Sequence, residues 1–166
     1  MAEREPVVVR VRRRPGTEDL ELPRYMSEGA SGLDVRAAVD QPLVCAPGQI
    51  VLVPTGLSFE VPPGYELQVR ARSGLALHHG LTLVNGVGTL DADYRGELGV
   101  IVGNLGQQPF TIERGMRIAQ LVLMRVERAR LELAAALGET ARGTGGFGST
   151  GSGTASAHPR QGRRRG

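Results

Sequence analysis

Asp91 and Asp93 stand two residues apart in the run Thr89-Leu90-Asp91-Ala92-Asp93-Tyr94, and either carboxylate could act as a general base toward water. Spacing alone does not choose between them. Arg72 offers a planar fork that matches phosphate oxygens, and Ser73 beside it adds a hydroxyl. Gly74 lets a backbone approach a ligand closely, and a helix starting there would present free N–H groups to an anion. Asp34 alternates with Leu33, Val35 and Ala37, so on a strand it shares the polar face with Arg36. Gln120 stands at strand spacing from Ile118, Val122 and Met124, a polar amide on an apolar stripe that must find a partner if buried. Arg142 and Phe147 sit among five glycines in residues 142–151. That stretch lacks the Gly-Lys-Ser/Thr ending of a P-loop, and it suits an arm that folds over a ligand.

The elements that must hold these residues read mostly as strands. Val7, Val9 and Val11 alternate with Val8, Arg10 and Arg12, and short apolar runs follow at 33–37, 50–53, 57–61, 65–71, 81–84, 98–102 and 118–126. Pro47-Gly48, Pro54, Pro62-Pro63-Gly64, Gly103 and Gly115 punctuate them. Such a pattern predicts an all-β sandwich, jelly roll or barrel. One short helix is expected over 74–79. Residues 126–137 have helical composition but a Leu131/Leu133 alternation that also permits a strand. Asn85-Gly86, with Gly88 and Gly96, predicts a long hairpin.

Charge and composition remove several function classes. All 20 basic residues are Arg, against 17 acids, for a net of +3. Residues 1–14 hold five Arg and two Glu, and residues 151–166 hold four Arg and no acid. The body between them has 11 Arg against 15 acids and is mildly acidic, so no specific nucleic-acid binding is expected. Cys45 is the single cysteine, which predicts a reducing, cytoplasmic setting and a packed thiol. Glu3 and Glu5 argue against a secretory leader. The uncharged stretches 41–59 and 73–90 are broken by prolines or by glycines and histidines, so no membrane helix is expected. His78-His79 is a weak metal signal with no further ligand nearby.

Five segments taken together resemble the homotrimeric dUTP pyrophosphatase (dUTPase) family. They are Ala30-Ser31-Gly32-Leu33-Asp34-Val35-Arg36-Ala37, Arg72-Ser73-Gly74-Leu75, Asn85 through Glu97, Arg117-Ile118-Ala119-Gln120-Leu121, and Arg142 through Gly151. They occur in the family's order and span roughly residues 30–151.

The resemblance implies a jelly-roll-like β-barrel in a trimer whose three sites lie between subunits. Segments one, two and four would come from one subunit, the third from a second and the fifth from a third. It implies hydrolysis of dUTP to dUMP and pyrophosphate, which limits uracil in DNA and supplies dUMP for thymidylate synthesis. It selects Asp91 as the base that activates water and leaves Asp93 a structural or electrostatic part. Asp34 would hold Mg2+ through water. Arg72, Ser73, Gly74 and Gln120 would bind the triphosphate. Asn85, with the backbone of Thr89, Leu90 and Gly99, would read the uracil edge, and Tyr94 would pack on the deoxyribose. Phe147 would stack on uracil, with Arg142, Gly148, Ser149 and Thr150 at the γ-phosphate. The expected organisation is a barrel over 1–137, a glycine-rich arm over 138–151 and an Arg-rich disordered tail over 152–166. Segment 126–137 is then expected as a strand crossing toward a neighbour.

Overall fold

The structure, a computed structural model, describes residues 5–147. Eleven strands and one helix make up its regular elements among those residues. They are β1 (Arg10–Arg13), β2 (Arg24–Tyr25), β3 (Leu33–Arg36), β4 (Leu43–Cys45), β5 (Ile50–Glu60), β6 (Tyr65–Ala71), α1 (Ser73–His79), β7 (Leu81–Leu83), β8 (Gly88–Leu90), β9 (Glu97–Asn104), β10 (Phe110–Ile112) and β11 (Arg117–Arg125). The all-β expectation with one short helix holds. No helix of the described residues is long and apolar enough to cross a membrane.

Two sheets carry most of the structure. One has the order β1-β5-β9-β7, the other β2-β3-β11-β6-β8, and β10 pairs with β4 in a small third. Alternate residues of the larger strands point inward and meet in one core. Val53 and Val100 reach it from the first sheet, and Val35, Leu67 and Leu121 from the second, each at most 1% exposed. Cys45 is buried in the same core, and burial pushes its thiol up from the ordinary value.

Three local readings change. Pro54 does not end a strand, because β5 runs through it and pairs Pro54 with Gly99. The register shifts between Pro54 and Ser58, which is how a residue without an N–H is accommodated in a ladder. The stretch around Asn85-Gly86 is a turn and not a hairpin: β7 pairs with β9, whereas β8 pairs with β6 in the other sheet. Gly86 has φ +73 there and donates its N–H to the Leu83 carbonyl. Residues 126–137 form neither helix nor strand within the chain. A strand exists only by pairing, and beyond Val126, whose N–H donates to the Gly64 carbonyl, no segment among the described residues supplies a ladder.

The described residues fall into two units, one ending at Arg128 and the other beginning at Ala129. In the first, arginines tie the loop before β2 to the barrel. Arg114 donates to both carboxylate oxygens of Asp19, at 2.9 and 2.7 Å, which holds that carboxyl below its ordinary value. Arg36 donates to one Glu21 oxygen at 2.6 Å and likewise holds that carboxyl below its ordinary value. In the second unit, Leu131, Leu133 and Leu137 are exposed.

Candidate functional site

The second sheet builds a cluster around Asp34. On β3 this residue sits directly opposite Gln120 of β11. Gln120 Nε2 donates to Asp34 Oδ1 at 2.9 Å. Arg117 Nη1 donates to Oδ2 at 3.0 Å, and Arg72 Nη2 lies 3.4 Å from the same oxygen. Arg72 Nη1 in turn donates to the Arg117 carbonyl at 3.1 Å. The Asp34 side chain is 4% exposed, so its charge depends on these partners. Gly32 leaves room for the amide, since a Cβ there would stand 3.2 Å from Gln120 Cβ.

Asp34 and Arg36 do share a face, but they serve different partners, since Arg36 turns to Glu21 and the Gly115 carbonyl. Gln120 does not lie on the core stripe. Ile118, Ala119 and Leu121 are the buried residues, because a register shift between Arg117 and Ala119 breaks the strand's alternation. Arg117 was not singled out from sequence for this reason. It stands three positions from Gln120, with two residues between them, which on a regular strand puts the two on opposite faces.

Arg72 also opens α1, standing at its N-cap with extended φ and ψ and no side-chain cap bond. The first-turn bond runs from the Ala76 N–H to the Arg72 carbonyl, and no acid occupies that turn. Ser73 and Gly74 are exposed at this helix start. Nothing lies within 4 Å of a Cβ built on Gly74, so the absence of a side chain leaves its backbone open.

The third segment makes a pocket of its own. Asn85, Thr89, Leu90, Asp91, Tyr94 and Gly99 all line it. Asp93 does not; with Asp91 it borders a neighbouring groove beside Tyr65 and Arg95. The geometry therefore separates two carboxylates that spacing could not. Gly88 lets the Asn85 amide fold across the strand, because a Cβ would meet Asn85 Nδ2 at 3.0 Å and Val69 Cβ at 3.1 Å. Tyr94 lies over Gly96, where a Cβ would stand 2.2 Å from the phenol oxygen, and its hydroxyl donates to the Glu97 carbonyl at 3.2 Å. Asp34, Arg72 and Gln120 do not line this pocket. One chain thus gathers residues of segments one, two and four at Asp34, while the third lines a pocket to which Asp34, Arg72 and Gln120 do not contribute.

The fifth segment belongs to the second unit. Arg142 Nε donates to the Gly145 carbonyl at 2.7 Å in a turn. Phe147 is fully exposed and has φ +49, a conformation that a bulky residue seldom adopts. Gly148, Ser149 and Thr150 lie outside the described residues, as does the stretch 152–166.

No cluster of three or more His, Cys, Asp or Glu able to cage a metal occurs among the described residues. His79 packs on Phe110, with ring centres 4.7 Å apart. Asp34 fits a metal only through water. Its two oxygens already accept from Gln120 and Arg117 with the Arg72 guanidinium close beside them, and a carboxylate has about four acceptor positions in all. That leaves room for a water but not for bidentate ligation.

A family model described as dUTPase matches residues 18–151. The deoxyuridine 5'-triphosphate nucleotidohydrolase of Rhizobium etli is 60% identical over 136 residues, which cover 81% of this chain and 87% of that protein. The protein of the same name from an Anaeromyxobacter species is 58% identical over 147 residues, covering 88% and 99%. In fold, the chain is similar to the dUTPase of Staphylococcus bacteriophage 80alpha with dUpNHpp. The TM-score is 0.77 at 23% identity, over 87% of this chain and 98% of that one. A mutant dUTPase from phage phi11 of S. aureus, in which a structural Mg(II) ion is coordinated, gives a TM-score of 0.69 at 20% identity, over 78% and 97%.

Proposed function

The chain belongs to the dUTPase family, and on that premise we propose that it hydrolyses dUTP to dUMP and pyrophosphate. The observation that carries this reading is the pocket in which Asn85, Asp91 and Tyr94 meet. An edge-reading amide, a carboxylate base and a flat ring are what recognition and hydrolysis of a deoxyuridine nucleotide require. Asn85 and the backbone of Thr89, Leu90 and Gly99 read the uracil edge. Cytosine reverses the donor and acceptor pattern there, and buried polar groups left unpaired discriminate by ~10⁴ or more. Tyr94, wedged over Gly96, packs against the sugar and leaves no room for a 2′-hydroxyl.

Asp91 takes a proton from a water held in line with the α-phosphorus. Its position in the pocket, which Asp93 does not share, supports that choice. Arg72, Ser73, Gly74 and Gln120 bind the triphosphate. Two arginines on the single carboxylate Asp34 leave local positive charge for a polyanion, within a body that is acidic overall. Preorganised cationic groups of this kind supply most of the catalysis in phosphoryl transfer. Mg2+ bound through water to Asp34 would neutralise charge on the phosphate oxygens.

The assembly we propose is a homotrimer with shared sites. The separation of the Asp34 cluster from the Asn85 pocket in one chain supports it, because a nucleotide spanning both needs a second subunit. The arm 138–151 then comes from a third, with Phe147 on the base and Arg142 and residues Gly148, Ser149 and Thr150 at the γ-phosphate. A fully exposed Phe147 in a strained conformation supports a side chain that waits for a partner. Residues 1–137 would form the barrel and 152–166 a tail beyond the arm. The buried thiol of Cys45 fits a cytoplasmic enzyme.

Pyrophosphate release from dUTP, UTP, dCTP and dTTP, measured in parallel with and without EDTA, tests the reading. Turnover of dUTP alone, lost with EDTA, is expected. Equal turnover of UTP or dCTP would defeat the assigned recognition, and native mass spectrometry showing only an active monomer would defeat the shared site.

A further inference from the structure

We propose that Arg117 is a positioning residue, one that holds Asp34 paired so that Arg72 is free to move onto a phosphate. The proposal rests on the reading of Arg72 as a triphosphate ligand. It begins with the bulge in β11. Ala119 pairs with Val35 and Gln120 with Asp34, yet Arg117 and not Ile118 pairs with Arg36. The extra residue turns Arg117 onto the face of Gln120, where a regular strand would have turned it away. Both side chains then reach Asp34 from one strand.

The contacts on Asp34 are unequal. Gln120 and Arg117 make hydrogen bonds to it, at 2.9 and 3.0 Å. Arg72 stands 3.4 Å from Oδ2, and its own hydrogen bond goes to the Arg117 carbonyl. Arg72 is thus parked beside the carboxylate and held less closely than Arg117. If it were the only cation there, its departure would leave a buried charge facing a neutral amide, which is strongly unfavourable. Arg117 removes that penalty. With two cations on one anion, Arg72 can leave and Asp34 stays neutralised. Arg117 does not touch the substrate in this scheme; it acts through Asp34 and through the carbonyl that parks Arg72.

The test is a double-mutant cycle on binding of the imido analogue dUpNHpp, with dUMP as the short control, using the full chain. Arg117→Ala is expected to weaken analogue binding by about tenfold, within the range for residues sharing one ion-pair network. Binding of dUMP should fall less, and Arg117→Lys should recover much of the loss by restoring the charge. In an Asp34→Asn background, Arg117→Ala should add less than about twofold, because its partner is gone. If Arg117→Ala does not fold, Arg117→Gln, which removes the charge but keeps most of the side chain, completes the same cycle in both backgrounds. Losses that simply multiply, or equal losses for analogue and dUMP, would overturn the positioning role while leaving the proposed activity standing. A wild-type chain that fails to bind the analogue would overturn both.

Discussion

The Asp34 cluster and the Asn85 pocket differ in how far one chain completes them. At Asp34 every polar partner is present: a buried carboxylate is met by two arginines and an amide drawn from β3, β11 and the end of β6. At the pocket, the chemistry-bearing groups face outward, with Asn85, Asp91 and Tyr94 all exposed. The cluster is therefore part of folding, and in the proposed scheme of binding too, whereas the pocket can change with little effect on the fold. A charge buried in a network cannot be removed without disturbing its neighbours, but an exposed carboxylate can.

That contrast can be broken most sharply at Asp91. Asp91→Asn should lower kcat by ~10²–10⁴-fold, the usual loss when a general base is removed. Affinity for dUpNHpp and the unfolding midpoint should stay near wild type. Asp93→Asn is the control, and a wild-type rate for Asp91→Asn with a lost rate for Asp93→Asn would reverse the assignment. Asp34→Ala should behave in the opposite way. It leaves Arg72 and Arg117 together without an anion, and a loss of about 3 kcal/mol is expected, the low end for a broken buried pair because both arginines are partly exposed. Chemical denaturation read alongside activity would reveal the two falling together.

Smaller changes sharpen the comparison. Gly96→Ala must displace Tyr94, since a Cβ there has no room beside the phenol. Overpacking of this kind costs about 1–3 kcal/mol in a packed core, and less is expected at a half-exposed ring. The expected signature is reduced discrimination between dUTP and UTP. Phe147→Ala should raise KM without moving the unfolding midpoint, because the ring is fully exposed. The smallest effect is on acid stability. Asp19 and Glu21 are held below their ordinary values of 3.8 and 4.5 by Arg114 and Arg36. Their contribution is present above those ordinary values and is lost as pH falls through the lower folded ones. Urea midpoints of wild type and Asp19→Asn should therefore converge as pH drops below the ordinary Asp19 value; a constant gap would contradict this.

Much of the fold was legible in local pattern. The run 65–71 is β6 without change, and 33–37, 81–84 and 118–126 match their strands to within a residue or so. Alternation determines these, because the side-chain period of a strand is fixed by its pleat. The first run is the exception, since Val7 and Val8 are exposed and pairing starts only at Arg10. Alternation says which residues share a face, but not whether anything covers it.

By itself, then, the sequence determined the residue types at the site, the strand character of their neighbours and the order of the five segments. Tertiary structure decided which residues meet. Asp91 was separated from Asp93 by the turn between β8 and β9, and the supposed hairpin was divided between two sheets. Arg117 entered the Asp34 cluster through one extra residue in β11, a register change that depends on pairing with β3. Pairing is non-local, set by what the facing strand supplies, so a bulge and the side chains it redirects cannot be read from the strand that carries it.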